Sequence, residues 1–420
     1  MRAVIEPRRL SGTIPAIPSK SHVHRLLICA ALADAPSALP CRVISADIEA
    51  TIRCLRALGA DISVSGGMIS VAPIRSVPER VVLDPGESGS TYRFMVPLAA
   101  ALGAEAQYVL HGKLPSRPMD ALWSEMERHG AVISGKGTDR PTVSGRLTAG
   151  KYRLPGGVSS QFFTGLLFAL PLLEGGSRID IDGELESVGY VDMTLEAQKA
   201  FGVSALRSPD RFSVSGHQRY IAPAALSAEG DWSNSAFWLC AGSAAGDISV
   251  TGLSLPTAQG DSAVAEILRR MGADLTSDGG TVRARCAPLG ETQIDVGNIP
   301  DLTPALAVAA AAVKGRTVIT NAGRLRLKES DRIASVCAAV NALGGRALPE
   351  GNTIVIEGSG SLRGGTVDAC GDHRIAMLGA AASVLCSEPV VITGAEAVRK
   401  SYPGFFDDFA ALGGCVKTEE

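Results

Sequence analysis

Cationic side chains collect where the sequence predicts that helices begin. Lys20, Arg25, Arg93, Arg117, Arg332 and Arg374 all lie within a few residues of predicted helix starts. A helix amino end has unpaired N–H groups and a partial positive charge, so a nearby Lys or Arg is disfavoured unless an anion compensates. Ser88, Ser159, Asp231, Asp301 and Asp372 at the same starts read as ordinary caps, worth about 1 kcal/mol each. Capping accounts for the hydroxyls and carboxylates, not for the cations. Taken together, the set points to anion binding at several helix tips. The densest charge cluster, Arg324-Leu-Arg326-Leu-Lys328-Glu329-Ser330-Asp331-Arg332, opens a predicted surface helix. With Asp301 at the start of a predicted buried helix, Glu329 supplies a second carboxylate among cations, as acid–base chemistry requires.

Other chemistries find no support. His22 and His24 are two apart and face different sides of a helix, which makes them poor metal partners. The nine cysteines show no C-x-x-C and no close Cys/His grouping, and several sit in apolar runs, so free thiols in a reducing compartment are expected. Neither a phosphate-binding Gly-x-x-x-x-Gly-Lys-Ser/Thr loop nor a dinucleotide Gly-x-Gly-x-x-Gly after a strand occurs. Forty Lys and Arg against 43 Asp and Glu exclude the broad basic surface of a nucleic-acid binder. There is no secretory leader pattern and no apolar run long enough for a membrane span, so a soluble, cytoplasmic protein is the expectation.

The elements that must position these residues repeat. Two apolar residues about three apart, followed by Gly and a strand-like run, end at Gly59, Gly130, Gly202, Gly272, Gly344 and Gly413, spaced 69 to 72 residues apart. Each reads as a helix carboxyl end closed by a left-handed glycine. A second set of helices begins near Ser19, Ser88, Ser159, Asp231, Asp301 and Asp372 with the same spacing, and is apolar nearly all round. Such helices must be buried nearly all round. Amphipathic helices, such as Asp47 to Leu58 and others beginning near Arg117, Tyr190, Arg332 and Lys400, belong on the surface. Short Val/Ile-rich runs between them, Arg80–Asp84 and Thr317–Thr320 among them, read as strands. Six units of one buried helix, one surface helix and about four strands, grouped three and three, give an α/β protein of two domains. Their expected bounds are 19–228, and 229–420 completed by 1–18, with three buried helices packed inside each domain and the sheets outside.

On these residues the chain resembles the enolpyruvyl transferases, and within them the 5-enolpyruvylshikimate-3-phosphate synthases. The resemblance covers essentially the whole chain and rests on Pro18-Ser-Lys20-Ser21-His-Val-His-Arg25, Ser88-Gly89-Ser90-Thr-Tyr-Arg93, Pro115-Ser-Arg117-Pro-Met, Ser159-Ser160-Gln161, Asp301, Leu327-Lys328-Glu329-Ser-Asp331-Arg332, Asp372-His373-Arg374-Ile-Ala-Met and Lys400-Ser-Tyr-Pro. It implies a two-domain inside-out α/β barrel of six βαβαββ repeats, hinged around a cleft that closes on substrate. The implied reaction is attack of the 5-hydroxyl of shikimate 3-phosphate on C2 of phosphoenolpyruvate, followed by loss of phosphate, with no metal and no organic cofactor. Ser159, Ser160, Ser187 and Lys328 resemble the ligands of the shikimate phosphate, Arg25 that of its carboxylate, and Ser21, Gln161 and Asp301 those of the ring. Lys20, Gly89, Arg117, Gln161, Arg332, Arg374 and Lys400 resemble the phosphoenolpyruvate site. The resemblance makes Asp301 the base for the 5-hydroxyl and Glu329 the acid for the methylene carbon, with Lys20 assisting in catalysis and touching both substrates. A monomer is expected.

Glu87-Ser88-Gly89-Ser90 departs from the Asn-Ala-Gly-Thr common in the family. A sister enzyme acting on UDP-N-acetylglucosamine is the nearest alternative, but its mobile-loop cysteine is missing from His111-Gly-Lys-Leu-Pro-Ser-Arg117 and Ser-Lys20-Ser replaces its Lys-Asn. The other alternative is a non-catalytic anion-binding protein of the same fold. Asp301 and Glu329 argue against it, since a plain polyanion binder gains by losing carboxylates.

Overall fold

Gly59, Gly130, Gly202, Gly272, Gly344 and Gly413 carry positive φ angles between 74° and 106° in a computed structural model that describes all 420 residues. Each closes a helix, and a strand follows within a few residues. The glycine period thus marks a repeated unit of structure. There are six sheets, one per repeat, five of four strands and one of three.

One sheet illustrates the plan. Lys151–Pro155 leads into the buried helix Ser160–Ala169, which returns as Ser177–Asp182, parallel to the first strand. A surface helix, Val188–Ala200, then feeds the hairpin Ala205–Ser208 and Arg211–Val214, whose second strand pairs antiparallel with Ser177–Asp182. Parallel strands need a long crossover and antiparallel ones a short turn, so the helices fall between strands in this order.

The chain divides into two compact units, Lys20–Ala228 and Glu229–Glu420 with Met1–Ser19. In the latter, Arg2–Glu6 lies between Val390–Thr393 and Cys415–Glu419, and Ser11–Pro15 runs parallel to Asp247–Thr251. The three-stranded sheet, Ser37–Pro40, Met68–Ala72 and Asp61–Ser65, belongs to the first repeat. There the parallel strand is reduced to one bridge between Ala33 and Tyr220.

The buried helices pack differently in the two units. Trp232–Ala245, Thr303–Ala312 and His373–Ala382 pack on one another. Their Ala- and Gly-rich sequences let the backbones approach. In the other unit Gly89–Leu102 packs on Ser160–Ala169, whereas Lys20–Leu32 packs chiefly on the surface helices Ala46–Ala57 and Val188–Ala200. Three helices packed together therefore describe one unit better than the other. The reason lies in polar residues of Lys20–Leu32: buried His24 reaches Thr51 and buried Arg25 reaches Thr194. Pro97 lies inside Gly89–Leu102 and cannot donate to the Arg93 carbonyl one turn back. Gly165 approaches that carbonyl so closely that a Cβ would stand 2.3 Å from it. No helix is long and apolar enough to cross a membrane.

Candidate active site

Within Lys20–Ala228, polar side chains gather at the starts of the buried helices. Lys20 opens its helix and its Nζ lies 2.8 Å from Asp47 Oδ2. Arg25, one turn on, donates to Thr194 Oγ1 (2.9 Å) and to the carbonyls of Ser21 (2.6 Å) and Tyr190 (2.7 Å), with its guanidinium over the Phe94 ring. Burial lowers its pKa to about 10. Ser187 stands at the cap position of the helix that carries Tyr190, in a left-handed conformation, φ 56°, without a capping bond from its side chain, and is buried.

The next two starts are tied together. Gln161 accepts from Arg93 Nη1 at 2.8 Å and donates to Ser90 Oγ at 2.8 Å. Ser159 caps that helix by accepting from the Gln161 N–H, and Ser160 follows it, buried. Gly89 is the first residue of its helix, and a Cβ on it would stand 2.6 Å from Arg117 Nη1 and 2.9 Å from Arg93 Nη1. Two guanidinium groups therefore crowd one helix tip, and any larger residue would have to push them aside.

Within the other unit, one guanidinium organises the cluster. Arg332 is 1% exposed. It donates to Asp372 (Nε to Oδ2, 2.7 Å), to Asp301 (Nη1 to Oδ1, 2.7 Å) and to Glu329 (Nη2 to Oε2, 2.8 Å). Asp372 also caps its own helix through the Arg374 N–H and accepts from Ser330. Lys328 Nζ lies 3.1 Å from Asp301 Oδ1, while Arg374 donates to the Asp301 carbonyl (2.9 Å) and to Ser233 Oγ (2.8 Å). Burial lowers the Arg332 pKa, but Asp372, Glu329 and Asp301 outweigh it and hold the pKa above its ordinary value. For Asp301, burial pushes upward and is overridden by Lys328, Arg374 and Arg332, so the carboxyl stays well below its usual range. Burial pulls Lys328 down to about 8 against the attraction of Asp301.

Two expected positions lie a few residues ahead of their helices. Arg117 follows the short 3₁₀ turn Leu114–Ser116, three residues before its helix begins at Asp120, and Lys400 ends the turn Ala395–Lys400, five residues before Phe405. Pro118 follows Arg117 directly and drives it out of the helical region, to φ −78° and ψ 142°. Arg332, although it starts a helix expected at the surface, is buried because three carboxylates satisfy it. Asp301 lies in the 3₁₀ turn Pro300–Leu302, just before the helix Thr303–Ala312.

The family model for EPSP synthase, described as 3-phosphoshikimate 1-carboxyvinyltransferase, matches residues 4–409. The chain belongs to this family. It is 41% identical over 416 residues to a 3-phosphoshikimate 1-carboxyvinyltransferase of Clostridium kluyveri, covering 98% of this chain and 97% of the relative. A protein of the same name from Clostridioides difficile is 39% identical over 426 residues, with the same coverage. A solved structure of EPSP synthase from Acinetobacter baumannii is similar with a TM-score of 0.84 at 25% identity, covering 99% of this chain and all of that one. The fold is accordingly the two-domain α/β fold of EPSP synthases.

Sequence reasoning named the cations but missed most of their counter-charges. Asp47 reads as the first turn of a surface helix, and nothing in its neighbourhood signals that it meets Lys20. Asp372 reads as a cap, which it is, yet it also holds Arg332. His24, set aside as a metal ligand, is a buried neutral imidazole whose pKa burial lowers to about 3.

Proposed function

We propose that the protein transfers the enolpyruvyl group of phosphoenolpyruvate to the 5-hydroxyl of shikimate 3-phosphate and releases phosphate, a step of chorismate and aromatic amino acid synthesis. The supporting observation is the Arg332 cluster, in which one buried guanidinium holds Asp301 and Glu329 at hydrogen-bond distance in a chain of the EPSP synthase family. The residues assigned to the two substrates come from both units, which we take as the two domains. Shikimate 3-phosphate takes Ser159, Ser160, Ser187 and Lys328 at its phosphate, Arg25 at its carboxylate, and Lys20, Ser21, Gln161 and Asp301 elsewhere. Phosphoenolpyruvate takes Lys20, Gly89, Arg117, Gln161, Arg332, Arg374 and Lys400.

The chemistry follows from charge. Both substrates carry a phosphate and a carboxylate, so their mutual repulsion is a large part of the barrier, and positioned cations remove it. The 5-oxygen bonds to C2 of phosphoenolpyruvate while its proton passes to Asp301, and Glu329 protonates the methylene carbon. The resulting adduct then loses phosphate and a methyl proton to give the enol ether. Asp301 is a weak base while Lys328 and Arg374 face it. Bound phosphate and carboxylate groups offset those cations and raise its basicity, so that it becomes competent only with substrate in place.

We place the enzyme in the cytoplasm as a monomer. None of the nine cysteines is in a disulfide, Cys286 and Cys370 being exposed, which suits a reducing compartment. A phosphate-release assay with phosphoenolpyruvate tests the function. Release is expected with shikimate 3-phosphate and not with UDP-N-acetylglucosamine; the reverse pattern, or none, overturns it.

A further inference from the structure

A line of buried polar side chains runs from the middle of one helix to the tip of another. His24 Nδ1 lies 2.7 Å from Thr51 Oγ1, Thr51 Oγ1 lies 2.7 Å from Thr91 Oγ1, and Thr91 Oγ1 lies 2.8 Å from Ser88 Oγ. His24, Thr51 and Thr91 are fully buried, and Ser88 is 1% exposed. The geometry makes Thr91 the donor, to Ser88 Oγ at 2.8 Å and, more weakly, to the Asp47 carbonyl at 3.5 Å. A hydroxyl has one proton to give, so Thr51 donates to Thr91, and His24 must donate to Thr51 from a protonated Nδ1. Burial keeps the imidazole neutral, which leaves Nε2 as a bare lone pair, and that atom has no partner. The imidazole thus acts as a fixed donor that sets the direction of the whole line.

Ser88 receives the result. Its oxygen accepts from the Thr91 hydroxyl and from the Thr91 N–H at 3.3 Å. Both bonds come from its own helix and occupy both lone pairs, so the Ser88 proton is directed away from the helix body. No protein acceptor takes that proton, although the residue is buried. A buried donor without a partner is costly. It is placed beside Gly89, at the tip that Arg117 and Arg93 crowd.

We propose that the Ser88 hydroxyl donates a hydrogen bond to an anionic oxygen of phosphoenolpyruvate, and that His24, through Thr51 and Thr91, positions it. This rests on the reading of Gly89 and Arg117 as part of the phosphoenolpyruvate site. It gives the departure Glu87-Ser88-Gly89-Ser90 a function, because the alanine usual in the family has no such donor. Ser88 is then a binding residue and His24 a positioning residue.

Steady-state kinetics on Ser88→Ala, Ser88→Thr and Thr51→Val test it. Ser88→Ala should raise KM for phosphoenolpyruvate about tenfold or more, the scale of a lost hydrogen bond to a charged acceptor, with KM for shikimate 3-phosphate unchanged. Ser88→Thr keeps the hydroxyl and should restore KM. Thr51→Val cuts the line without touching the site and should raise the same KM by a smaller factor. Turnover by the unmodified enzyme tests the function itself. With turnover intact, an unchanged KM for phosphoenolpyruvate in Ser88→Ala, or equal rises in both KM values, overturns the inference. Should Ser88→Ala fail to fold for loss of its cap, Thr51→Val decides alone, and an unchanged KM there overturns it.

Discussion

Arg25 and Arg332 are buried guanidinium groups, one in each unit, and they are satisfied in opposite ways. Arg25 donates to a threonine hydroxyl and two backbone carbonyls and faces no carboxylate. Arg332 donates to three carboxylates. Burial is therefore only partly offset at Arg25, whose pKa falls, and more than offset at Arg332, whose pKa rises. Neutral acceptors fix the place of a charge without cancelling it, so Arg25 still favours an anion. Arg332 shares its charge with three carboxylates and fixes them, besides the contact with phosphoenolpyruvate proposed for it. The second unit thus holds the acid and base groups beside its own substrate cations, whereas the first has its buried guanidinium free of carboxylates.

Stability gives the largest expected difference. Removing Arg332 takes the guanidinium from Asp372, which is fully buried, while Asp301 keeps Lys328 and Arg374. Breaking a buried ion pair from one side costs about 3–5 kcal/mol. Arg332→Met should lose that much in urea unfolding and with it all activity. Arg25→Met removes a buried charge that has no buried counter-ion, and should lose well under half as much. Its defect should appear instead as a missing rise in melting temperature when shikimate 3-phosphate is added. Equal losses in urea would erase the contrast between the two units.

Glu329→Gln addresses the chemistry of the second unit with little change in shape. The amide oxygen can still accept from Arg332, so binding should persist, but the proton donor is gone. General acid catalysis contributes about 10²–10⁴ in rate, and kcat should fall by that factor with both KM values nearly unchanged. A kcat within a few-fold of the parent would move the proton to another group, Lys20 being the first to examine.

How far the sequence discloses this contrast depends on the range of the contacts. The glycine period and the apolar helices are local patterns, and they carry the six repeats into the structure with small changes. Arg25 and Arg332 look alike on the page, each a basic residue near a helix start. What separates them is Thr194 in one case and Asp301 and Asp372 in the other, at separations of 169, 31 and 40 residues. No local pattern encodes such pairings. Arg117 shows the opposite failure: the proline that keeps it out of its helix stands one residue downstream, a local signal legible in the sequence.

Lys328 supplies the smallest effect and separates binding from folding. Burial lowers its pKa to about 8, so in the free enzyme its charge is lost above that pH, and with it the proposed hold on the shikimate phosphate. The ratio kcat/KM for shikimate 3-phosphate reports the free enzyme. It should fall by up to about tenfold per pH unit above pH 8, the limit for a single lost proton. Lys328→Arg keeps the charge, so this limb should vanish even if the longer side chain lowers the neutral-pH value a few-fold. Stability moves the other way. In the unfolded chain the lysine keeps its proton up to its ordinary pKa of 10.5, so between about 8 and 10.5 the unfolded state binds more protons. Unfolding therefore becomes harder as pH rises through that window. Activity that falls while urea resistance holds or grows is the signature of a lost binding charge. Parallel decline of the two would mean that the enzyme is coming apart, and Lys328 would lose its place at the phosphate.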